Sequence, residues 1–277
     1  MSSKSLPDIV IVSGARTPMA EWIGGKRGDG LPGGALASLS AIDLGAVAAR
    51  GALERAGVPA ETIDHVVMGN ALQTSGDALY GARHVALKAG LPKEVPALTV
   101  NRLCGSGHQA VVTAAQMIAL GEATWVVAGG MESMSQAPHV LRGARGGMRL
   151  GPGAQLEDSL WVALKDSTCG LFMAQTSDNL ARKYGITREQ QDEFALRSHT
   201  LSNTANNDGR FAEERVPVTV QQGRKTVVVD KDDHLFPATT LEGLAKLPPA
   251  FGPESFVTAG NASGIVDGAA ALVVTDA

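Results

Sequence analysis

The sequence is short of cysteine, aromatic residues, positive charge and long apolar runs, and each shortage removes a class of function. Its two cysteines, Cys104 and Cys169, cannot build a disulfide framework and stand at no metal-ligand spacing, so no metal site is expected. A reducing compartment follows, and the expected location is cytoplasmic. Lysine and arginine total 24 against 28 aspartates and glutamates, which leaves no electrostatic footprint for a nucleic-acid backbone. No basic run suits a membrane surface. No apolar stretch reaches the roughly 18 residues of a membrane helix. The opening "MSSKSLPDIVIVSGART" lacks a basic region followed by a long apolar one, so it does not read as a secretory signal. "GDGLPG" (28–33) matches a dinucleotide-binding glycine pattern, but Pro32 interrupts it and it does not join a strand directly to a helix. "GGKRG" lacks the serine or threonine that a phosphate loop places after its lysine.

What is abundant is glycine, 33 residues of it, between short β-rich runs and helical patterns. "IVIVSGA" (9–15) reads as a buried strand from its continuous β-branched run. A helix within "SAIDLGAVAARGALERAGV" closes on Gly57. Strands are expected at 65–72, 97–102 and 125–133, with a helix ending at Gly90 and another following Cys104. This alternation argues for an α/β layered fold with a mainly parallel sheet. From residue 136 to about 254 the chain turns polar and irregular. Within that stretch Thr187 and Gln190 form a capping box at the start of a helix, and "VPVTVQQGRKTVVVD" reads as a hairpin turning at Gly223. The last residues read as a Gly/Ala-rich helix followed by the strand "AALVVTD". Residues 1–135 and 256–277 are therefore expected to form one sheet domain, with 136–255 inserted in it.

Cys104 stands at the mouth of the helix "GHQAVVTAAQMIAL", which is apolar nearly all round and so expected to be buried in mid-fold. A helix N-terminus carries unpaired N–H groups and the positive end of the dipole, and both favour a thiolate over a thiol. Gly105 and Gly107 would let a substrate approach and its oxyanion reach backbone donors. This arrangement suits nucleophilic attack on a carbonyl such as a thioester. The alternative is a small buried filler, since free cysteine is among the most buried residue types. His108, four residues on, would share a helix face with Cys104 and could form a dyad, although packing or an interface explains it better. Cys169 is read as structural.

Three stretches then fit one family in order and spacing. "NRLCGSGHQA" (101–110) resembles the acyl-cysteine motif of thiolases, and "AGGMESMSQAPH" (128–139) and "TAGNASGIVDGAAALVV" (258–274) resemble two more of its signatures. "ARTP" (15–18) and "DGRFAEERVPV" (208–218) fit as well. The resemblance implies a βαβαβαββ domain with a mixed five-stranded sheet, interrupted by a loop domain that binds coenzyme A and contributes to oligomer contacts. It implies Cys104 as the acyl-accepting nucleophile and coenzyme A or a short acyl-CoA thioester as substrate, with no tightly bound cofactor. It also implies a homo-oligomer, dimer or tetramer. Leu164, Met173 and Phe251 match positions lining the acyl–pantetheine tunnel, Ala262 and Ser263 match the pantetheine-binding turn, and Phe172 stands where biosynthetic members have histidine. Phe236, Gly243, Pro248 and Val266 depart from a usual arginine, serine, arginine and asparagine. Motifs resembling N-E-A-F, G-H-P and C-x-G-G-G, which supply acid–base groups from a second domain, do not occur in these 277 residues. The expectation is half of an acyltransferase, completed by a second domain or chain, against a non-catalytic acyl-CoA-binding or assembly module. A ketosynthase-type relative is disfavoured by "CGSG" and "GGMESMS".

Overall fold

In chain order the elements are β1 (Ile9–Arg16), β2 (Ala20–Glu21), α1 (Ala41–Ala56), β3 (His65–Gly69), α2 (Gly81–Ala89), β4 (Ala97–Val100), α3 (Ser106–Leu120) and β5 (Val126–Ser133). They continue as β6 (His139–Leu141), β7 (Leu156–Asp158), α4 (Ser159–Ala163), α5 (Met173–Tyr184), α6 (Arg188–Asn207), β8 (Val218–Gln222), β9 (Lys225–Val229), α7 (Leu241–Ala245) and β10 (Val266–Asp276). They come from a computed structural model, which describes residues 7–22, 34–148, 151 and 153–277. The glycine patterns "GGKRG" and "GDGLPG" and part of the loop 142–155 lie outside the described residues.

Two units make up the chain. The first comprises Met1–Ala137, Ala212–Asp233 and Ile265–Ala277, and the second Pro138–Phe211 and His234–Gly264. The first holds a sheet in the order β1-β10-β5-β3-β4, with the short β2 also pairing to β10. β3 runs parallel to β4 and β5, while β10 runs antiparallel to β1 and β5. The sheet is therefore mixed, and its helices and main strands follow one another as βαβαβαββ. Successive residues of β3 point to opposite faces. Val66 and Met68 join the core that holds Leu44 and Ala48 of α1 and Val85 of α2. Val67 joins the core that holds Ala110, Ala114 and Ile118 of α3. Helix ends follow the sequence: Ser40 and Asp43 form a reciprocal cap on α1, Gly57 closes it at φ 64°, and Gly90 closes α2 at φ 91°.

Several expectations give way. β1 is an edge strand with Val10, Ile11 and Val12 exposed, because its one long-paired neighbour is β10. α3 is buried only along Ser106, Ala110, Ala114 and Ile118, and Val112 and Leu120 are 49% and 74% exposed. No helix precedes the last strand; β10 runs through the Gly/Ala segment for 11 residues. Alanine favours helix, but here packing overrides propensity. β5 lies so close alongside that a Cβ on Gly129 would stand 2.1 Å from the Ala270 carbonyl oxygen. The hairpin β8–β9, expected in the insertion, belongs to the first unit, where Val218 and Val220 are buried in its core. Residues 256–264, expected in the sheet domain, belong to the second unit.

That second unit contains the two-stranded sheet β6–β7 and the helices α4, α5, α6 and α7. The Thr187–Gln190 capping box at the start of α6 forms as expected. No helix among the described residues is long and apolar enough to cross a membrane.

Candidate active site

Between the end of β4 and the start of α3 the chain turns through Asn101–Gly105, and Leu103 adopts φ 49°, a left-handed conformation that a leucine rarely takes. Side chains on both flanks fix this elbow. Asn101 Oδ1 accepts from the Leu103 N–H at 2.9 Å. Ser106 Oγ accepts from the Arg102 N–H at 2.9 Å and donates to the Leu103 carbonyl at 2.6 Å. Strain over-determined by its surroundings in this way marks functional positions. Cys104 comes next and is exposed, so it is not a buried filler. Its Sγ has no hydrogen-bond partner among the described residues.

The helix starts later than the sequence suggests. Gly105 is its N-cap and Ser106 its first residue. Cys104 therefore precedes the helix, which removes the shared-face argument for a dyad with His108. His108 is exposed, in line with Val112, Gln116 and Leu120, and packs against no core within the chain. Cys169 is exposed as well, in a turn where Asp166 accepts from the Thr168 N–H, so it fills no core.

Three glycines seat the helix. A Cβ on Gly69 of β3 would stand 2.4 Å from the Ser106 carbonyl carbon and 2.7 Å from the Gly107 nitrogen, and one on Gly130 of β5 would stand 3.2 Å from the Gly107 Cα. Gly107 thus faces the sheet, not a substrate. The first turn of α3 lies directly on the strand ends; its Ser106 N–H donates to the Leu103 carbonyl at 3.0 Å and its Gln109 N–H to the Gly105 carbonyl at 2.9 Å, which leaves those of Gly107 and His108 without a backbone partner among the described residues.

Behind the elbow sits Glu132, at the end of β5. Its carboxylate accepts from the Asn70 amide, the Ala71 N–H and the Leu72 N–H. Burial pushes this carboxyl above the usual range, and those N–H groups oppose the shift. The sequence reading passed over Glu132 and Asn101, although both lie inside quoted motifs. Nothing in their spacing marks a role, because Glu132 meets partners at least 60 residues away and Asn101 reaches Ala71 across 30 residues.

The second unit gathers four of the residues expected to contact coenzyme A. The Met173 N–H donates to the Leu164 carbonyl at 3.0 Å. Phe172 lies 5.7 Å, ring to ring, from Phe251. Trp161, which the sequence reading missed, joins them at 4.5 Å from Phe172 and 6.4 Å from Phe251. Trp161, Leu164 and Met173 are partly exposed, which sets this cluster apart from ordinary core. Ala262 and Ser263 are exposed on a turn that the neighbouring Asn261 anchors, through hydrogen bonds to Asp192 at 2.9 Å and the Phe256 carbonyl at 3.0 Å. No contact joins that turn to the aromatic cluster among the described residues. Nor do the described residues contain a group of three or more histidine, cysteine or acidic side chains able to hold a metal ion.

Comparison with known proteins agrees over nearly the whole chain. The family described as "Thiolase, N-terminal domain" matches residues 9–277. Human mitochondrial 3-ketoacyl-CoA thiolase is 47% identical over 269 residues, 97% of this chain and 65% of its own length. An acetyl-CoA acetyltransferase of Cupriavidus necator is 47% identical over 274 residues, 98% of this chain and 67% of its own. The crystal structure of the human mitochondrial enzyme in complex with CoA superposes with a TM-score of 0.90 at 47% identity, over 98% of this chain and 65% of that one. That of Bacillus anthracis acetyl-CoA acetyltransferase superposes with a TM-score of 0.91 at 40% identity, over 99% and 66%. The sequence therefore spans about two thirds of the length of these relatives, and over that span the chain belongs to the thiolase family.

Proposed function

We propose that this chain carries the acyl-loading half of a thiolase-type acyltransferase, with Cys104 as the nucleophile. The supporting observation is the exposed Cys104 on a fixed elbow at the N-terminus of α3. The Cys104 sulfur attacks the thioester carbonyl of an acyl-CoA, and first-turn N–H groups of α3 offer donors for the developing oxyanion. The carbon–sulfur bond to coenzyme A then breaks. Coenzyme A leaves as its thiol, taking up the proton that Cys104 gives, and the acyl group remains on Cys104. Leu164, Phe172, Met173 and Phe251, with Trp161, present an apolar surface for the acyl–pantetheine arm, and the exposed turn of Ala262 and Ser263 offers the arm a separate contact. A human relative bearing coenzyme A in its structure supports coenzyme A as the ligand. Residues 138–211 and 234–264 would then form the coenzyme-binding part, in a cytoplasmic homo-oligomer.

Thiolytic cleavage or Claisen condensation also needs a base for a second proton. Among the described residues no side chain is hydrogen-bonded to Cys104, so that base would come from a second domain or chain. Incubation with acetyl-CoA followed by intact-mass measurement tests the reading. An acetyl adduct that Cys104→Ser abolishes is expected. A folded chain that binds acetyl-CoA without an adduct would overturn it in favour of a binding module.

A further inference from the structure

We infer that Glu132 is a positioning residue for Cys104, acting through the Ala71–Leu72 peptide group and the side chain of Asn101. This rests on the acyl-transfer reading of Cys104. Glu132 Oε2 accepts from the Ala71 N–H at 3.1 Å. Its Oε1 accepts from the Leu72 N–H at 3.1 Å, and the carbonyl of that same peptide group, on Ala71, accepts from Asn101 Nδ2 at 3.1 Å. Asn101 Oδ1 in turn accepts from the Leu103 N–H at 2.9 Å, the residue whose left-handed φ turns the chain into Cys104. A hydrogen-bonded chain thus leads from a carboxylate at the end of β5 to the Arg102–Leu103 peptide group, one residue ahead of the nucleophile.

The relay has a firm base. Asn70, 3% exposed, donates to Glu132, to the Leu72 carbonyl at 3.0 Å and to the Met131 carbonyl at 3.0 Å, while its N–H donates to the Val100 carbonyl at 3.1 Å. The loop 70–72 therefore cannot shift without breaking bonds to both β5 and β4. Asn101, by contrast, is exposed, and its long arm would sample several rotamers unless both amide ends were engaged. A half-buried carboxylate that receives these N–H groups with no cation among its contacts in the described residues is costly to keep. It is not needed to close the loop, which an amide could do with fewer bonds, so its charge is best explained by the orientation that it imposes. Bonds in such a chain also polarise one another.

The test uses the purified chain and two readouts of Cys104: its rate of alkylation by iodoacetamide, and single-turnover acylation by acetyl-CoA across a concentration series. Asn101→Ala touches only an exposed link and is expected to leave the melting temperature unchanged. It should slow alkylation and the maximal acylation rate by about 10- to 100-fold, with half-saturation by acetyl-CoA unmoved. Glu132→Gln, which turns an amide donor toward the N–H groups of the loop, should give a similar loss. Glu132→Asp, which keeps two acceptor oxygens, should recover part of the rate. Combined with Asn101→Ala, neither Glu132 variant should slow the reaction beyond the larger single effect, because both break one chain. Wild-type rates for Asn101→Ala, or losses that multiply in the double variants, would overturn the inference. If Glu132→Gln fails to fold, the Glu132→Asp pairing decides. A chain that alkylates as described but never acylates would remove the acyl-transfer reading and leave the relay standing.

Discussion

Asp267 and Glu132 are both carboxyls that burial pushes above the ordinary range, yet their surroundings answer them differently. Glu132 has donors on both oxygens. Asp267 is wholly buried, with Oδ1 accepting from the Ser135 N–H at 2.9 Å, while among the described residues its Oδ2 and the Ser135 hydroxyl reach no partner at full hydrogen-bond geometry. A group whose folded pKa is raised binds its proton more tightly in the folded state. Its ionised form therefore lowers stability at neutral pH, and that penalty fades as pH falls toward the unfolded value near about 3.9. Asp267→Asn removes the titration and keeps an acceptor for Ser135. Thermal melts should place the variant above wild type at pH 7.5, with the gap closing toward pH 4; a gap that widens on acidification would reject this account. Neither carboxyl was legible in the sequence, because burial is a property of the assembled sheet. Cys104 was legible, because a thiol among glycines before a helix is a local pattern.

At the scale of elements, the nucleophile is placed by how closely α3 lies on β3 and β5. Gly69 permits this approach, since a Cβ there would meet backbone atoms of Ser106 and Gly107 that cannot rotate away. Gly69→Ala should displace the first turn, destabilise by about 1–3 kcal/mol and slow Cys104 alkylation with it. Gly107→Ala is the contrast: its Cβ would meet only the Gly130 Cα, at 3.9 Å. Gly107 is the second residue of α3, where alanine can replace glycine without strain, so that change should be neutral or stabilising by up to about 1 kcal/mol. Urea unfolding and alkylation of both variants check the pair, and equal losses would reject the seating argument. Periodicity and caps made α1, α2 and α6 legible, through Gly57, Gly90 and Thr187. It could not tell an edge strand from a central one, so the apolar run of β1 read as buried. A Gly/Ala segment is also locally ambiguous, and only pairing with β5 from Gly129 to Ser133, and with β1 and β2, makes 266–271 a strand.

For the molecule as a whole, the route of the chain matters most, since it leaves the first unit at Ala137, returns at Ala212 and leaves again after Asp233. The resemblance marked "ARTP" and "DGRFAEERVPV" without saying that they meet. They do: the Arg16 N–H donates to the Glu214 carbonyl at 2.9 Å, and the Val216 N–H donates to the Arg16 carbonyl at 2.7 Å. Asp232 anchors the far end of the returning segment. It accepts from Arg16 at 2.7 and 3.0 Å, from Arg215 at 3.2 Å and from the Met19 N–H at 2.8 Å. Burial alone would raise its pKa, but the hydrogen bonds and charges of those partners outweigh it and hold the carboxyl below its ordinary value. The sign is thus opposite to that of Asp267. The stabilisation is present above the unfolded value near about 3.9 and is lost as pH falls through the folded one. Asp232→Ala takes away the carboxylate that two guanidiniums only 14% and 8% exposed share, although Arg16 keeps Glu214 at 2.9 Å, and losing a buried acceptor of this kind costs about 1–3 kcal/mol. At pH 7 the variant should unfold at lower urea than wild type, with the difference shrinking below about pH 4 as wild type loses the same charge. Hydrogen exchange should locate the loss first in β8 and β9. If those amides stay as protected as in wild type, the hairpin is held by the burial of Val218 and Val220 instead, and the ion cluster is incidental to the return of the chain.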